Sequence, residues 1–374
     1  SVVPNPTTTF ITEGEIETFV HNGKAYSFRF IAGGYFTAVM FSDPHVDTED
    51  IKNTLTGQVA NIVNMGKEGG KVVNFANAPK GYVPTADIVF CLGDMDEDKE
   101  EDASSPGQYY KDATAAFNTA GIPFITLLGN HDLAPDYWTG ENGGNGLTYG
   151  STGGSGYNDK SIAIVKEHRT QAQNNGISDV NIFKDTDLDC DVQIEPFAFL
   201  FKGVRFYVGH TYWFHKPYDK PSLISNAKYY APDGVIEALD AYVNEHKDEA
   251  SIWMQHYPFV SEADTKNSRW WLDQNDVGRC IMPTDASSSA YYNGGTNVTY
   301  DTEDGIALAK TKRDALATII NKTKNPVHFS GHVHKYDEQT YQGIKDYSVA
   351  QPGNAFVVLC KEGVGVVEVQ RVTF

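Results

Sequence analysis

Five short apolar runs in this sequence each end in groups able to bind a metal ion. TAVMFS is followed by Asp43-Pro44-His45, DIVFCL by Gly93-Asp94, and FITLL by Gly129-Asn130-His131-Asp132. SIWMQ is followed by His256, and PVHFS by Gly331-His332-Val333-His334. A lone His after a strand is usually a satisfied partial-core residue, and a lone Asp there is a turn former. Five coincidences, three with a glycine beside the ligand to relieve crowding, point instead to convergence at one end of a sheet. The donors Asp43, His45, Asp94, Asn130, His256, His332 and His334 are more than one tetrahedral or octahedral ion needs while keeping an open position. If one carboxylate bridges, two ions fit about 3.5–4 Å apart, the spacing of two-metal phosphoester chemistry. A hydroxide between two such cations is a nucleophile near neutral pH. Imidazole and carboxylate donors without thiolate suit Mn, Fe, Zn or Ni rather than Cu(I) or an iron–sulfur cluster.

Such donors need rigid elements behind them. Near-continuous apolar, β-branched and aromatic runs predict strands at 35–42, 86–92, 122–128, 204–209, 251–255, 326–330 and 355–360, buried on both faces. Helices are expected over 49–65, 106–120, 233–247 and 306–322. The first carries a stripe of Ile51, Leu55, Val59 and Ile62 behind a cap at Asp47 or Thr48, and the second stops at Gly121. Strands alternating with helices predict an α/β layered fold in a single domain over 1–374. In open α/β sheets ligands bind at the carboxyl ends of the strands, where all of these donors fall. Two stretches break the rhythm, about 133–160 and 260–305, and read as surface insertions next to the site. The tail 344–374 reads as closing strands.

Composition narrows the function classes. With 30 Lys+Arg against 49 Asp+Glu, the formal charge of −19 argues against a nucleic-acid polymer as partner. No apolar run approaches the roughly 18–20 residues of a membrane-spanning helix. Four cysteines form no scaffold: Cys91 and Cys360 lie in apolar runs and read as reduced core residues, and Cys190 and Cys280 lie in polar stretches. The start at Ser1 and the sequons at Asn297 and Asn321 lean towards an extracytoplasmic home, secreted or periplasmic. The glycine-rich stretch at 143–156 lacks a phosphate-loop pattern, and no G-x-S-x-G elbow signals a serine hydrolase.

The order D-x-H, GD, GNHD, H, G-H-x-H over residues 43–334 resembles the calcineurin-like metallophosphoesterase superfamily. The resemblance implies a four-layer α-β-β-α sandwich with long active-site insertions and a two-metal hydrolase of phosphate mono- or diesters. The nucleophile it implies is a hydroxide held between the ions, attacking in line. Asp43, His45 and His334 would then hold one ion and Asn130, His256 and His332 the other, with Asp94 bridging. His131 would steady the phosphoryl group or protonate the leaving group, with Asp132 orienting it. Purple acid phosphatases are a poor match, since their tyrosinate would fall at Glu97 and their first motif lacks a His at position 45. GDMDEDK departs from the GDxVDRG of Ser/Thr protein phosphatases. The nearest groups are class III cyclic-nucleotide phosphodiesterases, glycerophosphodiesterases and small acid phosphatases.

His210 and His215 follow another strand and are candidate contacts to a substrate phosphate, with a structural role equally open. His328 reads as a core imidazole, and Asp47 as a helix cap. The rival reading is a non-catalytic metal-containing protein of the same fold, its aromatic insertions binding a glycan or a partner.

Overall fold

The computed structural model describes residues 16–29, 33–95, 107–129, 132, 157–183, 195–209, 233–261 and 303–374. The expected insertions lie mostly outside these, as do Asn130, His131, His210, His215, Cys190 and Cys280. A hairpin of β1 (Ile16–His21) and β2 (Lys24–Arg29) precedes the main body.

Two sheets form that body. The first has the order β14-β13-β3-β4-β5. Its parallel core is β3 (Tyr35–Phe41), β4 (Ile88–Cys91) and β5 (Phe124–Thr126), edged by antiparallel β13 (Asn354–Lys361) and β14 (Gly365–Thr373). The second has the order β11-β12-β10-β9-β8-β7-β6. Here β8 (Val204–Val208), β9 (Ala250–Met254), β10 (Lys324–Ser330) and β12 (Ile344–Ser348) run parallel. Antiparallel β6 (Ser178–Ile182), β7 (Phe197–Phe201) and β11 (Asp337–Tyr341) complete it.

The period of two sorts side chains between layers. Along β3, Phe36, Ala38 and Met40 meet Phe199, Phe206, Ile252 and Phe329 of the other sheet in an apolar layer. Val39 and Phe41 point the opposite way, against α1 (Glu49–Val63) and α2 (Gln108–Thr119). α3 (Tyr157–Asn174) joins that outer layer through Ile162, Ile164 and Val165. On the far side, α4 (Asp233–Glu245) and α5 (Glu303–Ile320) cover Tyr207 and Trp253 with Leu239, Val243, Leu316 and Ile320. The result is an α-β-β-α sandwich, as the resemblance implies.

One local reading is corrected and the others stand. Thr48, not Asp47, caps α1, its Oγ1 accepting the Ile51 N–H at 3.3 Å. Gly121 ends α2 with φ +69°, in the left-handed conformation of a helix-terminating glycine. Cys91 and Cys360 are buried free thiols and His328 is 1% exposed, so all three belong to the core. α3 is a correction, because it takes residues 157–160 out of the expected insertion and was not foreseen. Among the described residues, no helix is long and apolar enough to cross a membrane.

Candidate metal centre

The parallel strands β3, β4, β9 and β10 deliver Asp43, Asp94, His256 and His332 to the same pole of the sandwich. The loops after them are laced together. The Asp43 N–H donates to the Gly93 carbonyl at 3.1 Å, His45 N–H to the Asp94 carbonyl at 3.1 Å, and Gly331 N–H to the His256 carbonyl at 2.9 Å. The Asp43 carboxylate accepts the His332 N–H through both oxygens, at 3.1 and 2.9 Å. One ligand's side chain therefore fixes the backbone of another, across the gap between sheets.

Five ligand residues adopt positive φ: Asp43 (54°), His45 (42°), Asp94 (54°), His332 (67°) and His334 (57°). Left-handed backbone is uncommon away from glycine and clusters at functional sites, costing of order 1 kcal/mol or more per residue. Each loop curls immediately after its strand, which turns the donor back over the strand end.

The glycines are required by space. A Cβ at Gly93 would lie 2.6 Å from His256 Nδ1, one at Gly129 would lie 2.1 Å from Asp94 Oδ1, and one at Gly331 would lie 1.9 Å from Ser42 Oγ. Each glycine lets a neighbouring ligand loop pass at backbone distance.

Donor atoms converge in two groups, Asp43, His45, Asp94 and His334, and Asp94, His256 and His332. Within each, the candidate ligand atoms lie within 4.8 Å of one another. Asp94 Oδ2 stands 3.2 Å from His256 Nε2 and 3.7 Å from His45 Nε2, so one oxygen faces both groups. His334 Nε2 is 3.3 Å from Asp43 Oδ1 and 3.1 Å from His45 Nε2. Asp43, His45, Asp94 and His256 are buried, and His332 and His334 are half-buried at the mouth. Six of the seven expected ligands are thus brought together, the seventh, Asn130, lying outside the described residues.

Electrostatics favour a cation here. Burial works against charge on His256, yet Asp94 first and Asp43 after it raise the ring's pKa to about 9. His334 is likewise raised, burial being outweighed by its bond to Asp43 and by the charges of Asp43 and Asp94. A pocket that holds protons this tightly on its imidazoles has negative charge to offer an ion in their place. The oxygen and imidazole donor set, with no thiolate in either group, fits two ions of the Mn, Fe, Zn or Ni kind.

Outer contacts aim the ligands. His256 Nδ1–H donates to the Leu92 carbonyl at 2.8 Å, leaving the Nε2 lone pair for a metal. Tyr257, 2% exposed, sets its ring 4.3 Å from that of His332 and 5.3 Å from that of His256, wedging both. Asp132 is fully buried and accepts three backbone N–H groups, from Asp94 (2.9 Å), Met95 (2.9 Å) and Gly129 (2.7 Å). Leu128, two residues before Asn130, donates its N–H to buried Glu195 at 2.9 Å. Neither Tyr257 nor Glu195 carries a motif: Tyr257 directly follows the ligand His256 in the chain, and nothing in the linear sequence marks Glu195.

The chain resembles the calcineurin-like metallophosphoesterases. That resemblance is carried by the motif order and by the ligand convergence around Asp94. No family model matches the sequence, and no curated protein matches it. Among solved structures, a dimetal phosphatase from Danio rerio aligns over 91% of this chain and 100% of its own, at 12% identity and a TM-score of 0.47. The calcineurin-like phosphoesterase YfkN from Bacillus subtilis aligns over 91% of this chain and 90% of its own, at 12% identity and a TM-score of 0.35. The phosphopantetheinyl hydrolase from Mycobacterium tuberculosis aligns over 86% and 92%, at 12% identity and a TM-score of 0.36. At such identities and scores the chemistry of this chain is read from its own side chains.

Proposed function

We propose that this chain is a two-metal hydrolase of small phosphate mono- or diesters, acting by in-line displacement at phosphorus. The supporting observation is that Asp94 belongs to two ligand groups at once, which is the geometry of a bridging carboxylate. Asp43, His45 and His334 would hold one ion, and His256 and His332, with Asn130, the other. Two ions bound there would acidify a water molecule and neutralise charge gathering on the phosphoryl oxygens.

The remaining work belongs to the protein. Asp43, through the His332 N–H, and Asp132, through the amides of Asp94, Met95 and Gly129, hold the ligand loops at fixed separation. Fixed charge that need not reorganise during reaction is where electrostatic catalysis gains most. His131, next in the chain to the anchored Asp132, would steady the phosphoryl group or protonate the departing oxygen, since an alkoxide leaves poorly unprotonated. A net charge of −19 favours small substrates over polyanions.

Metal content by mass spectrometry, with para-nitrophenyl phosphate and bis-para-nitrophenyl phosphate assayed on the same sample, tests the reading. About two ions per chain and turnover of either ester are expected. Asp94→Ala should lose both metal and at least roughly 10²–10³-fold in rate. Full activity in that variant would overturn the proposal.

A further inference from the structure

His334 has one nitrogen inside the metal centre and one outside. Its Nε2 faces Asp43 and His45. Its Nδ1 meets the carboxamide nitrogen of Gln351 at 2.8 Å. Gln351 belongs to none of the motifs that mark the ligands.

The position of Gln351 is built by the fold. It lies in the turn between β12 and β13, and its own carbonyl accepts the Asn354 side-chain N–H at 3.0 Å. The same turn is gripped by Gln58, a buried glutamine on the otherwise apolar inner face of α1. Gln58 Oε1 accepts the Gly353 N–H at 2.9 Å, and its Nε2 donates to the Asn354 carbonyl at 3.1 Å. The Phe374 N–H donates to the Gly353 carbonyl at 2.8 Å. An exposed side chain is thereby presented from a backbone fixed on both sides.

A carboxamide can face an imidazole in two ways. With its N–H donating to Nδ1, the proton of a neutral ring sits on Nε2, which closes that nitrogen to a metal. Turned by 180°, the carboxamide oxygen accepts Nδ1–H and leaves the Nε2 lone pair free. Metal-bound imidazoles nearly always donate their second N–H to an oxygen, and His256 does so here to Leu92.

We propose that Gln351 is a positioning residue for the ion held by Asp43, His45 and His334, its carboxamide turning over to keep His334 in the metal-binding tautomer. This rests on the two-metal reading above. A carboxylate at this position can only accept, so Gln351→Glu fixes the metal-ready tautomer. Gln351→Met keeps the bulk and offers neither donor nor acceptor.

The test is a titration of the full metal-free chain with Zn or Mn against a competing chromophoric chelator, resolving the two binding steps. Gln351→Met is expected to weaken one step about 10–100-fold and leave the other unchanged. Gln351→Glu is expected to bind that ion as tightly as the wild type or more so. Thermal melting of the metal-free variants should match the wild type, because no buried contact of the side chain is lost. Wild-type binding of both ions by Gln351→Met overturns this proposal alone, as does equal weakening of both steps. A wild-type chain that binds no ion overturns the two-metal reading and this proposal with it.

Discussion

Asp132 holds Asp94 by its backbone. One carboxylate oxygen of Asp132 takes the Asp94 N–H at 2.9 Å and the Gly129 N–H at 2.7 Å, and the other takes the Met95 N–H at 2.9 Å. The loop with the shared carboxylate and the loop leading to Asn130 are therefore pinned to one buried anion. Each N–H left without an acceptor would cost about 1–3 kcal/mol. Asp132→Ala should lower stability by several kcal/mol and reduce bound metal together, as read by denaturant unfolding and metal analysis. A variant of wild-type stability that loses only kcat would show that orienting His131 is the sole task of Asp132.

The two ligand groups predict separable losses of metal. His256→Ala removes a ligand from one group only. It should retain about one ion per chain, whereas Asp94→Ala should retain close to none under the same dialysis. Equal stoichiometry in the two variants would contradict a bridging role for Asp94.

Gly129 should tolerate no side chain. A Cβ there would meet Asp94 Oδ1 at 2.1 Å, so Gly129→Ala must shift the shared carboxylate. A destabilisation of about 1–3 kcal/mol with reduced metal occupancy is expected. Gly57 gives the contrast, being exposed on α1 with no atom within 4 Å of the place a methyl group would take. Gly57→Ala should stabilise by about 0.5–1 kcal/mol, because alanine suits a helix interior better. Melting curves of the two alanine variants read out the difference.

His168 makes stability depend on acid pH. It is 5% exposed, with Nδ1 2.9 Å from Thr126 Oγ1, and burial lowers its pKa from 6.5 to about 4. Between those values the unfolded chain takes up a proton that the folded chain refuses, so stability falls as pH falls through this window. The loss is absent above pH 6.5 and reaches its full value of about 3 kcal/mol below pH 4. His168→Gln should remove this part of the acid dependence, and a wild-type slope between pH 6.5 and 4 in that variant would contradict it.

Legibility in the sequence tracked burial. The central strands were readable because both of their faces are covered, which leaves apolar runs with ligands attached. β6 (SDVNI) and β11 (DEQTY) are half-exposed edge strands, and too few apolar residues mark them. β8 matches the strand read at 204–209, but its hairpin partner β7 does not appear among the predicted strands, although two apolar runs joined by Lys202-Gly203, both at positive φ (45° and 71°), mark the pair. α3 turns His168 and Arg169 inward beside Ile162 and Val165, so its helical period was hidden by polar residues in buried places. Gln351 and Glu195 reach the centre only through the tertiary fold, and chain position holds no trace of that.

The left-handed backbone at the ligand positions limits what those positions can become. Asn, Asp and His are the non-glycine residues that enter this region most readily, and they are also oxygen and nitrogen donors to metals. A position held at positive φ therefore discourages Val, Leu or Ile before coordination is considered. The curl of the loops acts as a conformational filter on substitution, and the residue types that pass it are those that still bind an ion.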